Sequence, residues 1–143
     1  MLMLRTLLSV TTLAIVLASQ ALAAGAAPSE AQLKRGKLLF TQCQACHQLK
    51  PGAPSMLGPN LAGLMGRKAA TVSGFNYSPA LRKVSLTWDA ATLDKWLQRP
   101  SALVPGNTMA FAGLPKADDR ASLIAWLAAE TAAPRQTSAM QKK

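Results

Sequence analysis

Residues 40–50 read "FTQCQACHQLK". Both cysteines and the only histidine of this 143-residue chain fall within positions 43–47. Residues three apart on a helix end face the same way, so Cys43 and Cys46 offer two thiols to one object. His47 follows directly and is carried beneath that object. Three simpler uses of these residues fail. A Cys43–Cys46 disulfide would close a tiny loop and leave His47 without a role. A thioredoxin-like pair belongs in a βαβ setting, and no strand pattern surrounds it. Structural zinc takes four ligands, and two cysteines with one histidine fall short.

Cys-x-x-Cys-His is the attachment motif of c-type haem. It predicts one covalent haem c per chain, with thioethers at Cys43 and Cys46 and His47 as an iron ligand. A second iron ligand must come from elsewhere. With a single histidine in the chain, bis-His ligation is excluded. Methionine is the natural alternative, and a Met/His pair suits electron transfer. Met56 lies only nine residues past His47 and would need a very tight wrap. Met65 sits in an apparent helical turn, where a core role would explain it. Met109 lies in "PGNTMAF", 62 residues past His47, far enough to reach the opposite face. Met109 is therefore the expected metal ligand.

The N-terminus sets the compartment. After Arg5 the chain runs uncharged and mostly apolar to Ala21-Leu22-Ala23. A basic start, an apolar centre and a small-x-small ending predict a secretory signal over residues 1–23. The uncharged run from Thr6 to Ser29 is also long enough to span a bilayer, so an uncleaved anchor is the alternative. Both place the domain outside the cytoplasm, in the periplasm. The whole chain has sixteen basic and six acidic residues. Loss of Arg5 with the signal leaves a net charge of +9. Such a charge favours acidic proteins or an anionic membrane surface. Export, and the lack of basic runs interleaved with aromatics, argue against nucleic acid.

The remainder reads as one small all-α domain over residues 24–133, followed by a polar, frayed tail over 134–143. Ser29 and Gln32 resemble a capping box. They open a helix through "EAQLKRGKLLFTQ", with Leu33, Gly36 and Phe40 on one side. From His47 to about Ser85 the chain is rich in Gly and Pro, with a short helical turn expected near Leu61–Met65. So long an irregular segment suits a chain that wraps something. A second helix starts near Thr87–Asp89 and must stop before Pro100. "SALVPGNTMAFAGLP" reads as loop. A last helix runs from about Lys116 to Glu130, with Asp118 and Asp119 in its first turn and Leu123, Trp126 and Leu127 on its buried face.

Six stretches, "GKLLFTQCQACH", "LGPNLAGLMGRKA", "GFNYSPA", "LTW", "VPGNTMAFAGL" and "LIAWL", fall in one order. In that order and spacing the chain resembles the class I c-type cytochromes, of the bacterial cytochrome c2 and mitochondrial cytochrome c type. The likeness covers about Gly36 to Leu127. It implies an all-α cytochrome c fold of three to five short helices wrapped around one haem. It also implies that the Pro59 carbonyl receives the ring N–H of His47. Arg67, Tyr77 and Trp88 match positions that hydrogen-bond haem propionates. Phe111 matches the aromatic beside the exposed haem edge. Trp96 stands where the family usually has a tyrosine near the methionine sulfur, and Asn107 stands in place of a common threonine. Both join the expected cofactor-binding set. Gly36 matches the crossing of the first and last helices.

The function implied is that of a monomeric, non-enzymatic carrier shuttling single electrons between acidic redox proteins. A membrane cytochrome complex, a terminal oxidase or a periplasmic dehydrogenase would serve as partner, with peripheral membrane contact left open. The alternative is a haem-bearing subunit or dedicated acceptor of one dehydrogenase complex. Peroxidase-like activity would require Met109 to be displaced. Several lysines that ring the haem edge in mitochondrial relatives are missing: Ser101, Ala102 and Thr108 occupy such places.

Overall fold

Ser29 accepts the backbone N–H of Gln32 at 3.2 Å and starts the first helix, α1, Glu30–Phe40. The computed structural model describes residues 27–132. The expected signal at 1–23 and tail at 134–143 lie outside the described residues. Four more helices follow among the described residues: α2 (Pro79–Lys83), α3 (Ala90–Gln98), α4 (Pro100–Leu103) and α5 (Ala117–Glu130). No strand occurs among these residues, where Lys68 and Thr87 form an isolated antiparallel bridge. The all-α expectation therefore holds, with five short helices.

Two helices went unread in the sequence, and both begin at proline. Ser78 accepts the N–H of Leu81 and caps α2, with Pro79 in its first turn. Pro100 opens α4 without a side-chain cap, and the helix runs on into the stretch read as loop. Proline at a helix start loses no bond and brings its φ preset, so it opens a helix as readily as it closes one. The turn expected to be helical near Leu61–Met65 is instead a pair of non-helical turns.

Helices α1 and α5 make the main helix crossing, and α3 packs on α5. Gly36 is buried at the first crossing. A methyl group built there would lie 2.5 Å from Trp126 Cβ and would overlap the Ser122 carbonyl. Glycine costs helix stability but permits this approach. Phe40 stacks on Trp126 with ring centroids 4.9 Å apart. Trp126 is only half-buried, while Leu123, Ile124 and Leu127 form the buried face of α5. Arg120 ties α5 to α3: its Nε donates to Asp94 Oδ1 at 2.7 Å, and its Nη1 donates to the carbonyls of Leu114 and Pro115. The core cluster runs through Phe40, Leu64, Trp88, Leu93, Trp96 and Leu123, and it borders a cavity.

Candidate functional site

Helix α1 ends at Phe40, and the chain turns straight into the Cys43–His47 segment. The N–H groups of Cys43 and Gln44 both donate to the Phe40 carbonyl, and those of Cys46 and His47 both donate to the Cys43 carbonyl. These successive turns hold Cys43, Cys46 and His47 on the wall of one cavity. The two thiols are free and half-buried. Burial pushes the Cys43 thiol up to about 11, with the neighbouring Cys46 adding to the effect. It is therefore a protonated thiol at neutral pH and no ready thiolate. Among the described residues, no group of three or more His, Cys, Asp or Glu is placed to hold a metal ion.

His47 Nδ1 lies 2.8 Å from the Pro59 carbonyl oxygen. That oxygen can only accept, so Nδ1 carries the proton and Nε2 keeps its lone pair. Burial lowers the His47 pKa, and the bond to Pro59 opposes that shift only in part. The imidazole is thus a neutral base at physiological pH.

The cavity measures about 430 Å³. Every residue expected to bind the cofactor or its iron borders it: Cys43, Cys46, His47, Pro59 and Arg67 in the first half of the chain, and Tyr77, Trp88, Trp96, Asn107, Met109 and Phe111 in the second. Met109 is the one methionine of the described residues that does so. Met65 packs against the core, and Met56 is exposed with its sulfur accepting from Gln48 Nε2. Asn107 shapes the Met109 loop. Its Nδ2 donates to the Val104 carbonyl at 2.8 Å and its Oδ1 accepts the Met109 N–H at 3.1 Å.

Donors gather around Arg67, the one charged side chain of the wall. Its two Nη atoms donate to the carbonyls of Ala62 and Asn60 at 2.7 and 3.0 Å. That leaves other N–H groups of its five for a ligand. The Tyr77 hydroxyl accepts the Val72 N–H at 3.3 Å, so its own proton is left to donate. Burial raises the Tyr77 pKa, and the hydroxyl stays protonated. Trp88 and Trp96 meet edge to face at 5.3 Å, and their indole N–H groups can donate but never accept. No acidic residue borders the cavity. An apolar chamber with two thiols, a neutral imidazole, a thioether and a cluster of donors fits a flat apolar macrocycle bearing carboxylates.

Two contributors escaped the sequence reading. Asn60 is buried and fastens the 50–62 segment: its Nδ2 donates to the carbonyls of Lys50 and Ala53, and its Oδ1 accepts the Ala62 N–H. A polar residue between Pro59 and Leu61 was the available signal. Gly58 lies buried against the His47 ring. Nothing in its local sequence marked it apart from the glycines of nearby turns.

No protein-family model matches the chain. Cytochrome c2 of Rhodomicrobium vannielii is 48% identical over 96 residues, covering 67% of this chain and 77% of that protein. Cytochrome c of Chlamydomonas reinhardtii is 46% identical over 101 residues, covering 70% of this chain and 90% of that one. Among solved structures, cytochrome cH from Methylobacterium extorquens superposes with a TM-score of 0.64 at 37% identity, covering 68% of this chain and 97% of its own. Set beside a cavity that collects a Cys-x-x-Cys-His motif and a distant methionine, these likenesses establish that the chain belongs to the class I c-type cytochromes, electron carriers rather than enzymes, which hold haem c covalently.

Proposed function

We propose that this chain shuttles single electrons between redox partners in the periplasm. The haem supplies a ferric/ferrous couple that takes up and returns one electron. Cys43 and Cys46 hold it through thioethers. His47 offers Nε2 to the iron, while Pro59 fixes the tautomer and raises the basicity of the ring. Met109 would supply the second iron ligand from the loop that Asn107 braces. Arg67, Tyr77 and Trp88 would offer donors to the propionates, Trp96 would bring its indole N–H near the Met109 sulfur, and Phe111 would border the edge through which partners exchange electrons. The convergence of these residues on one acid-free cavity is the observation that carries this reading.

Periplasmic location rests on the N-terminal sequence. No helix of the described residues is long and apolar enough to cross a membrane. Exposed Leu57 beside the cavity favours a second reading, that of a subunit held in one dehydrogenase complex: the residue is 83% exposed, and a permanent partner would cover it. Isolation from the native periplasm separates the two. A carrier elutes alone, carries one haem linked to the 43–47 peptide, and titrates with a one-electron slope. Haem that extracts freely in acid and solvent overturns the attachment at Cys43 and Cys46, and steady co-elution with a dehydrogenase favours the subunit reading.

A further inference from the structure

The Pro59 carbonyl holds His47 at one atom. A single hydrogen bond fixes Nδ1 but lets the imidazole pivot about it. Something else must set the plane of the ring. Gly58 is buried and packs on the Nδ1–Cε1–Nε2 side of the imidazole. A methyl group built on it would lie 2.7 Å from Nδ1 and 2.8 Å from Nε2, and closer still to Cε1. Real Cβ atoms do not approach side chains so closely. Backbone conformation does not explain the glycine, because Gly58 is not among the positive-φ residues. Close approach explains it.

Gly58 is itself firmly held. Its N–H donates to the Cys46 carbonyl at 2.8 Å, and its own carbonyl accepts the Met56 N–H at 3.0 Å. The backbone that presses on the ring is therefore tied to one of the two cysteines. We infer that Gly58 is a positioning residue: its bare backbone seats the His47 imidazole and sets the ring's orientation about the iron–nitrogen axis. Ring orientation governs how the ligand's π orbitals overlap the iron and so the spread of unpaired spin over the macrocycle, which supporting contacts of this kind control. The inference rests on His47 being an iron ligand.

The test is proton NMR of the ferric holoprotein, with the midpoint potential measured alongside. Gly58→Ala is expected to reorder the hyperfine-shifted haem-methyl resonances and to shift the potential. Ile124→Val, in the core and away from the cavity, lowers stability but leaves the methyl order as in the wild type. A Gly58→Ala protein with the wild-type methyl order overturns the inference while His47 ligation stands. A wild-type protein lacking hyperfine-shifted imidazole signals overturns His47 ligation itself, and the inference with it. Should Gly58→Ala lose its helicity, Pro59→Ala takes over, because it keeps the carbonyl acceptor and frees the backbone of residue 58. Reordered methyls with an unchanged Nδ1–H resonance support the seat. Unchanged methyls, or methyls that move only together with the Nδ1–H signal, assign the orientation to the hydrogen bond and overturn it.

Discussion

Single atoms decide the properties of the iron site. Met109 is the methionine on the cavity wall, so Met109→Ala is expected to abolish the thioether–iron charge-transfer band and lower the potential, since Met/His ligation raises it. Met65→Ala should keep the band and lose only stability, because Met65 packs in the core. An absorption spectrum of each ferric variant checks both. Elsewhere a single dihedral carries strain. Ala70 has φ 57°, the only positive value outside glycine among the described residues. The left-handed region costs an L-residue roughly 1–2 kcal/mol, and glycine gives back part of that in unfolded-chain entropy. Ala70→Gly should therefore stabilise the fold by about 0.5–1 kcal/mol, read as a higher denaturation midpoint with an unchanged slope.

Helices answer to their caps and crossings. Asp89 caps α3 by accepting the Thr92 N–H at 2.7 Å, and this bond holds its carboxyl below the ordinary value of 3.8. A carboxyl depressed by folding adds stability that is fully present above its unfolded pKa and is lost as pH falls through the folded one. The stability gap between wild type and Asp89→Asn should thus be constant at neutral pH and close as the solution is acidified below about pH 4. Urea midpoints across that range measure it. At the crossing of α1 and α5, Gly36→Ala drives a methyl into Trp126 and the Ser122 carbonyl. Overpacking of this kind costs about 1–3 kcal/mol, with the ferric spectrum unchanged at low temperature. The crossing was legible because glycine sat on the apolar side of one helical period. The helices α1, α3 and α5 were legible for the same reason, each having a cap or breaker and an apolar face. The short α2 and α4 were not, because four or five residues hold no period and their prolines read as breaks. At the site, Cys43, Cys46 and His47 could be read from spacing and Met109 by elimination among the methionines, and the rest came from resemblance. Gly58 and Asn60 could not be read, since their contacts join segments that only the wrapped chain brings together.

Over the whole molecule, charge and topology remain. Three of the six carboxylates are engaged by basic side chains, Glu30 by Lys34, Asp119 by Arg35 and Asp94 by Arg120, and none borders the cavity. The field is therefore positive, while Leu57, Thr108, Ala110 and Phe111 leave the cavity rim uncharged. The reduction rate by a native donor should fall as the Debye length shrinks from about 30 Å at 0.01 M to about 8 Å at 0.15 M salt, but less steeply than the net charge suggests. Lys50→Glu should slow it more than Lys142→Glu does. A rate that stays flat with salt would place docking on apolar contacts alone.

The α1–α5 crossing joins the beginning of the described chain to its end. Arg35 reaches Asp119 across it, donating to both carboxylate oxygens at 2.9 and 3.0 Å. Asp119 lies 84 residues after Arg35, so the crossing cannot form before α5 has been synthesised. During synthesis α1 therefore waits without its partner until α5 has been made. Cys43 and Cys46 leave α1 within its next turn, so they share that wait. The fold itself thus keeps an interval in which both thiols lie open on an unfinished chain, and the last helix to arrive brings that interval to a close.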